Sequence, residues 1–463
     1  MCSTNAAHHD QTSTARLHTP FFRALLCLLF SLSTVLALSG TTQADESEEP
    51  AIGAAERTAI LDTVVSLIER YYIDTNNITA VVDYIKARQS SGQYDNLNLL
   101  SSYRTSLTDD LRQVSGDSHF GVWPLSTSMT MYEESEDDRL REAERARYGN
   151  YGFERLERFP GNVGYLELVE FVHPRMAGPT AAAAMDFLAN CDAIVIDLRR
   201  NTGGWGEMVA LLCSYLFADQ TLLSTTYDRH LNRTSQTWTD VWVSGPRLDS
   251  IPVWVLQSRG TFSAAEDLSY TLQSLGRATV VGETSRGGGH PVYDFNVESQ
   301  GICISIPIAA SVNPVTGTSF QGTGVKPDFA VTSEKALAKA CTLAVEELLK
   351  KTTDEARQRT LRRALERYEA ELNPIELSAK AENELLGEYR YSKSYSFKVV
   401  LRGDQLVLVS ALGNTYSLIP CGHDRFAARE SELSVDFLRN DRGKVNALRT
   451  AHADGETVYR RVE

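Results

Sequence analysis

The chain has 463 residues, of which 42% are hydrophobic, 23% charged and 9% aromatic, with 30 Gly and 14 Pro. That composition excludes a wholly disordered, collagen-like or polytopic membrane chain and suggests roughly two to four domains. Sixty acidic residues against 46 basic ones give a net charge of −14, which argues against non-specific nucleic-acid binding, because a polyanion is repelled rather than neutralised.

Arg16 and Arg23 precede a mostly apolar run from Ala24 to Leu38, followed by Gly40 and Thr42-Gln43-Ala44. The run is about 15 residues, short of the roughly 20 that cross a bilayer. A basic flank, a short apolar core and a small-x-small exit describe a secretory signal peptide over residues 1–44, cleaved after Ala44. The competing reading is an uncleaved membrane anchor. On the first reading the protein is exported, periplasmic or extracellular, and keeps no stable membrane span. Beyond Ala44 the chain holds 44 basic and 59 acidic residues, a net charge of −15.

Five cysteines lie beyond that point: Cys191, Cys213, Cys303, Cys341 and Cys421. None stands at a metal-ligand spacing, so no metal and no cofactor is expected. Four of them lie in apolar stretches, where buried free thiols are common.

Residues 45–120 read as a helical N-terminal domain. Ile60, Leu61, Val64, Val65, Ile68 and Tyr72 share one helical face, and Leu100, Tyr103, Leu107, Leu111 and Val114 share another. Gly116 reads as a helix stop that delivers Asp117-Ser118-His119-Phe120 into a loop. Residues 121–160 read as a charged linker, with a solvated surface helix or linker over 132–148. Residues 161–335 then alternate strand and helix. Ala193–Leu198, Ile251–Leu256 and Ala278–Val281 are apolar strand candidates, and Glu207–Phe217 and Ser263–Leu275 are helix candidates. The pattern predicts an α/β core with parallel strands and crossover helices. Ligands of such sheets bind at the C-terminal strand ends, where the loops Asn201–Trp205, Gln257–Phe262 and Thr284–His290 fall. Residues 336–380 read as a helical linker, and 381–463 as an accessory β domain, a β-meander with turns at Arg402-Gly403-Asp404, Gly413-Asn414 and Asn440–Gly443.

Ser263 opens a predicted helix at a strand–loop–helix junction, near the positive end of the helix dipole, which favours an alkoxide. Ser263-Ala264-Ala265-Glu266 also spells a capping box, so cap and nucleophile both remain open. Gly203 and Gly204, with the amide of Ala264, are candidate oxyanion donors, or the glycines form a plain tight turn. A nucleophilic serine needs a base. No lysine occurs between Lys86 and Lys326, which excludes a Ser/Lys dyad across this interval. His119, His173, His230 and His290 are the histidines within reach, and composition does not choose among them.

The stretches AIVIDLRRNTGG, SRGTFSAAEDLSYTLQSLGRATVVGETSRGGGHP and GTGVKPD, in this order and spacing, resemble peptidase family S41. That family includes carboxyl-terminal (tail-specific) processing proteases, the tricorn core and interphotoreceptor retinoid-binding protein. The VSGDSHFGV segment is similar to the N-terminal part of the retinoid-binding-protein-like and tricorn-like branch. The resemblance covers roughly residues 55–335, with no PDZ-like insertion, and implies a crotonase-like core. It implies Ser263 as nucleophile, His119 as general base with Ser118 supporting it, and Gln321 where tricorn-like sites carry a Glu. A Gln can fix an imidazole tautomer but supplies no charge to the imidazolium, so slower catalysis or a different orienting carboxylate is expected. The implied function is an exported serine peptidase acting on peptide or protein substrates, and the domain set suits a Gram-negative bacterium. Two alternatives stay open: a non-proteolytic binder of apolar, lipid- or retinoid-like ligands on the same fold, and an esterase.

Overall fold

A computed structural model describes residues 51–125, 136–429, 431–452 and 455–462. The signal-peptide expectation, residues 1–44, lies outside the described residues, as does part of the charged stretch, residues 126–135.

Three helices come first: α1 (Ala54–Tyr71), α2 (Ile78–Ser90) and α3 (Leu100–Ser115). Ile60, Leu61, Val64, Val65 and Ile68 are all buried, which is the predicted face of α1. Gly116 ends α3 at φ 69°, a left-handed cap that a side chain would disfavour. Strand β1 (Gly121–Pro124) follows at once. Further on come α4 (Glu136–Tyr148), β2 (Phe153–Phe159), β3 (Val163–Leu168), α5 (Pro174–Leu188), β4 (Ala193–Asp197) and α6 (Gly206–Leu216). The hairpin β5 (Leu222–Asp228) and β6 (Arg233–Trp238) leads to β7 (Val253–Gln257), α7 (Ala264–Ser274) and β8 (Ala278–Gly282). Then come β9 (Val292–Val297), β10 (Ile302–Pro307), β11 (Ala309–Val312), β12 (Phe329–Ala330), α8 (Ser333–Lys351), α9 (Glu355–Leu372) and α10 (Ala379–Leu385).

The central sheet runs β12-β8-β7-β4-β3-β2, parallel except for the antiparallel edge strand β2. Both faces are covered, so its strands alternate between two apolar clusters rather than between core and water. Ile194, Ile196, Val253 and Val255 pack with residues of α5, α6 and α7. Ala193, Val195, Trp254 and Leu256 pack on the other side with Ala340, Ala344 and Leu361. The α/β core expected from the sequence is therefore present, and α8 is one of its layers rather than part of a linker.

Two other boundaries move as well. The segment 121–160 is not merely a linker, since it supplies β1 and β2 to two sheets. The N-terminal helices share their core with the centre of the chain: β1 pairs antiparallel with β10, and Ile302, Ile304 and Ile306 pack among Ile68, Leu107 and Leu111. Hydrophobic periodicity identified the helical faces but could not show that a strand near residue 305 would cover them.

The C-terminal meander comprises β13 (Gly387–Ser392), β14 (Tyr395–Arg402), β15 (Gln405–Ser410), β16 (Thr415–Pro420), β17 (Arg425–Ala428), β18 (Ser434–Arg439), β19 (Val445–His452) and β20 (Gly455–Arg461). It closes into a barrel through β13 and β20, which removes both free sheet edges. Leu408, Leu418, Phe426, Phe437 and Leu448 fill its interior. All five cysteines among the described residues are free, four of them buried.

Candidate active site

The C-terminal ends of β4, β7 and β8 carry the three loops the sequence singled out; the first and third, with Ser263 just past the second, line a cleft of about 480 Å³. Buried Asn201 sets the first loop. Its Nδ2 donates to Leu168 O at 2.9 Å, and its Oδ1 accepts from Gly203 N at 2.8 Å. The second loop is tied to the first where Phe262 N donates to Asn201 O at 3.2 Å and Thr261 Oγ1 donates to Leu198 O at 2.9 Å.

Ser263 follows, at φ 54° and ψ −123°. A non-glycine residue there carries strain of order 1–3 kcal/mol, held in place by its surroundings. Those surroundings centre on Glu266, which is fully buried. Its Oε2 accepts from the amides of Ser263 at 2.9 Å and Gly288 at 2.8 Å. Its Oε1 accepts from Ser285 Oγ and Gly287 N, both at 2.6 Å. One carboxylate thus fixes both the serine turn and the third, glycine-rich loop. The glutamate half of the predicted capping box is made, while the Ser263 hydroxyl makes no capping hydrogen bond. Ser263 lines the cleft.

His119 lines the same cleft. Its ring lies against Phe262 with centroids 4.4 Å apart. Gly288 has to be glycine between them, because a Cβ there would stand 2.0 Å from the Phe262 ring and 2.6 Å from His119 Cε1. Asp117 stands at the back of the site with a nearly inaccessible side chain. Its Oδ1 accepts from the His119 amide at 3.0 Å and lies 3.6 Å from His119 Nδ1. Its Oδ2 lies 2.7 Å from Nδ1 of His290, which also lines the cleft. Burial alone would raise the Asp117 pKa; the interactions with His119 and His290 outweigh it and hold the carboxyl well below the usual range.

The two glycines of the first loop separate by role. The Gly203 amide is committed to Asn201, and a Cβ on Gly203, at φ 109°, would fall 2.8 Å from Ser263 Cβ. Gly204 lines the cleft at φ 131°, where a Cβ would stand 2.3 Å from Phe171 O. Among the described residues the amides of Gly204 and Ala264 have no backbone acceptor, so this pair, rather than Gly203, is free to face an oxyanion.

Gln321 is placed differently from the expectation. Its Oε1 accepts from the amides of Gly289 at 2.6 Å and His290 at 3.1 Å, so it braces the glycine-rich loop instead of orienting His119. Ser118 does not line the cleft. His173 caps α5, accepting from Arg175 N at 3.1 Å. His230 packs among Tyr71, Tyr293 and Phe295. Asp117 was visible in sequence only as a loop residue; its place two residues before His119, where it closes a tight turn onto that amide, was the available signal. Among the described residues no cluster of three His, Cys, Asp or Glu side chains could hold a metal ion, and no helix is long and apolar enough to cross a membrane.

Residues 162–331, the segment holding Ser263 and most of the cleft, match the model of peptidase family S41. The carboxy-terminal-processing protease of Bartonella bacilliformis is 29% identical over 179 residues, 38% of this chain and 40% of that protein. The carboxyl-terminal-processing protease of Synechocystis sp. is 30% identical over 174 residues, 36% of this chain and 38% of that protein. The aligned segment therefore spans about two fifths of these relatives. Among solved structures, mature CPAF complexed with lactacystin aligns at 14% identity with a TM-score of 0.44, over 67% of this chain and 99% of that one.

Proposed function

We propose that this chain, whose residues 162–331 belong to peptidase family S41, is an exported serine peptidase acting on peptide or protein substrates. His119 takes the proton of Ser263 Oγ as the oxygen attacks the scissile carbonyl. The amides of Gly204 and Ala264 receive the developing oxyanion. Collapse of that intermediate breaks the C–N bond, and the proton held by His119 passes to the leaving amine. Water, deprotonated by the same imidazole, then hydrolyses the acyl ester and restores Ser263. Asp117 supplies the negative charge behind His119 that Gln321 cannot. Export rests on the signal-like residues 1–44 of the sequence.

The observation that carries the reading is Ser263 held at positive φ at the mouth of a helix, facing a cleft it shares with His119. A helix cap needs no such conformation. The cleft also carries the hydroxyls of Ser224, Thr226, Thr237, Ser311 and Thr318, which suits a peptide backbone better than a retinoid-like ligand. A fluorophosphonate probe tests the reading. Labelling of wild type that disappears in Ser263→Ala, together with peptide hydrolysis, supports it; absence of labelling with a lipid retained through purification overturns it in favour of the binding protein. Ester turnover without peptide turnover identifies an esterase.

A further inference from the structure

Asp267 lies one helical turn beyond Ser263 on α7 and lines the same cleft. Its carboxylate accepts one hydrogen bond, from Thr271 Oγ1 at 3.3 Å. Among the described residues it forms no ion pair with Arg, Lys or His. Among the described residues no Arg or Lys lines the cleft, whereas Glu207, exposed on the first turn of α6, adds a second carboxylate. Thr271, its hydrogen-bond partner, and the aliphatic Ala210 and Leu223 line the same cleft.

Acidic residues in the first turn of a helix commonly serve the helix dipole, and such groups are more acidic than usual. Asp267 departs from that pattern. Burial pushes its pKa up to about 6, with only the Thr271 hydrogen bond opposing, so the protein holds this carboxylate at a net cost. The groups around it do not relieve the cost: the buried Cys213 thiol on α6 and the Glu207 carboxylate supply no positive charge. A half-buried carboxylate that faces the cleft and lacks a cation is complementary to a cation arriving with the ligand.

We propose that Asp267 is a specificity-determining residue that selects a lysine or arginine side chain of the substrate, at the residue seated beside Ser263 on the acyl side of the scissile bond. The proposal rests on the peptidase reading above. The aliphatic stem of the substrate side chain lies along Ala210 and Leu223, and its charged end reaches the Asp267 carboxylate. No Lys or Arg among the described residues lines the cleft to compete for that carboxylate.

The test uses two internally quenched peptides that differ only by arginine or its uncharged isostere citrulline at that residue. Wild type should cleave the arginine peptide with a kcat/KM at least roughly tenfold higher, the scale of a desolvated charge-assisted contact. Asp267→Asn should bring the ratio to within about twofold, and Asp267→Glu should restore part of it. Equal ratios in wild type and Asp267→Asn, or a preference for citrulline, overturn the proposal. Binding of the same peptides to Ser263→Ala, read by fluorescence anisotropy, separates recognition from chemistry. A chain that hydrolyses neither peptide and takes no fluorophosphonate refutes the peptidase reading; the arginine-to-citrulline affinity ratio, measured with and without Asp267→Asn, then decides the role of Asp267 by itself.

Discussion

Nδ1 of His290 lies 2.7 Å from Oδ2 of Asp117. The other oxygen of that carboxylate receives the His119 amide and lies 3.6 Å from the His119 ring nitrogen. One buried carboxylate therefore serves two histidines of the same cleft, and the position that carries Gln321 is left to brace the loop behind them.

Removing the charge while keeping the shape tests this division. Asp117→Asn should lower kcat/KM for peptide hydrolysis by roughly 10³- to 10⁴-fold, as expected when an imidazole loses the charge behind it. His119→Ala should cost as much, and His290→Ala only about tenfold, since it removes one partner of Asp117 and not the base. The reverse order of the two histidine variants would assign the base to His290.

The depressed pKa of Asp117 also makes a stability prediction. A carboxyl more acidic folded than unfolded stabilises the native state above its unfolded pKa of about 3.9, and that contribution is lost progressively as pH falls below this value. Wild type should therefore unfold at a higher temperature than Asp117→Asn at pH 7, with the gap shrinking toward pH 3. A gap that widens on acidification would contradict the assigned sign.

Glu266 should behave as a structural anchor. Glu266→Ala leaves two glycine amides, the Ser263 amide and the Ser285 hydroxyl without their acceptor. A loss of about 3–5 kcal/mol in unfolding free energy is expected from deleting a buried acceptor of this kind, measurable by denaturant titration. Fluorophosphonate labelling of Ser263 should fall with it, because the strained turn loses its tether.

Gln321 offers a milder case. Gln321→Ala removes the acceptor of the Gly289 and His290 amides and should reduce kcat/KM by about tenfold, the scale of one or two hydrogen bonds. Gln321→Glu should lose less, because a carboxylate accepts the same two amides. If Gln321→Glu instead raised activity a hundredfold, a direct partnership with His119 would be indicated.

Gly204→Ala separates oxyanion stabilisation from binding. The added Cβ meets the Phe171 carbonyl oxygen at 2.3 Å, so the amide must move. A fall in kcat of about 10²- to 10³-fold, larger than any change in KM, is expected for a displaced oxyanion donor.

The parallel core was legible because strands buried on both faces read as unbroken apolar runs, as in Ala193–Asp197 and Val253–Gln257. Ser263 was ambiguous because a capping box and a serine turn share the same letters. The strained backbone angle and the multiple partners of Glu266 support the proposed nucleophile, and the Glu266 contacts depend on the Ser285–Gly288 loop arriving from elsewhere in the chain. The pairing of Asp117 with His290 escaped for the same reason: nothing in sequence joins residue 117 to residue 290. Barrel closure was equally hidden, since the pairing of Tyr389 with Arg461 links the two ends of the meander.

The strand pairing of β1 with β10 has a consequence for when the protein acquires activity. His119 and Asp117 precede β1 directly, and the register Gly121–Ser305 aligns them with a strand that follows Ser263 in the chain. A chain emerging from its N-terminus carries its proposed base long before the surface that positions it exists. The proposed activity is thus withheld until residues beyond 300 have joined the structure.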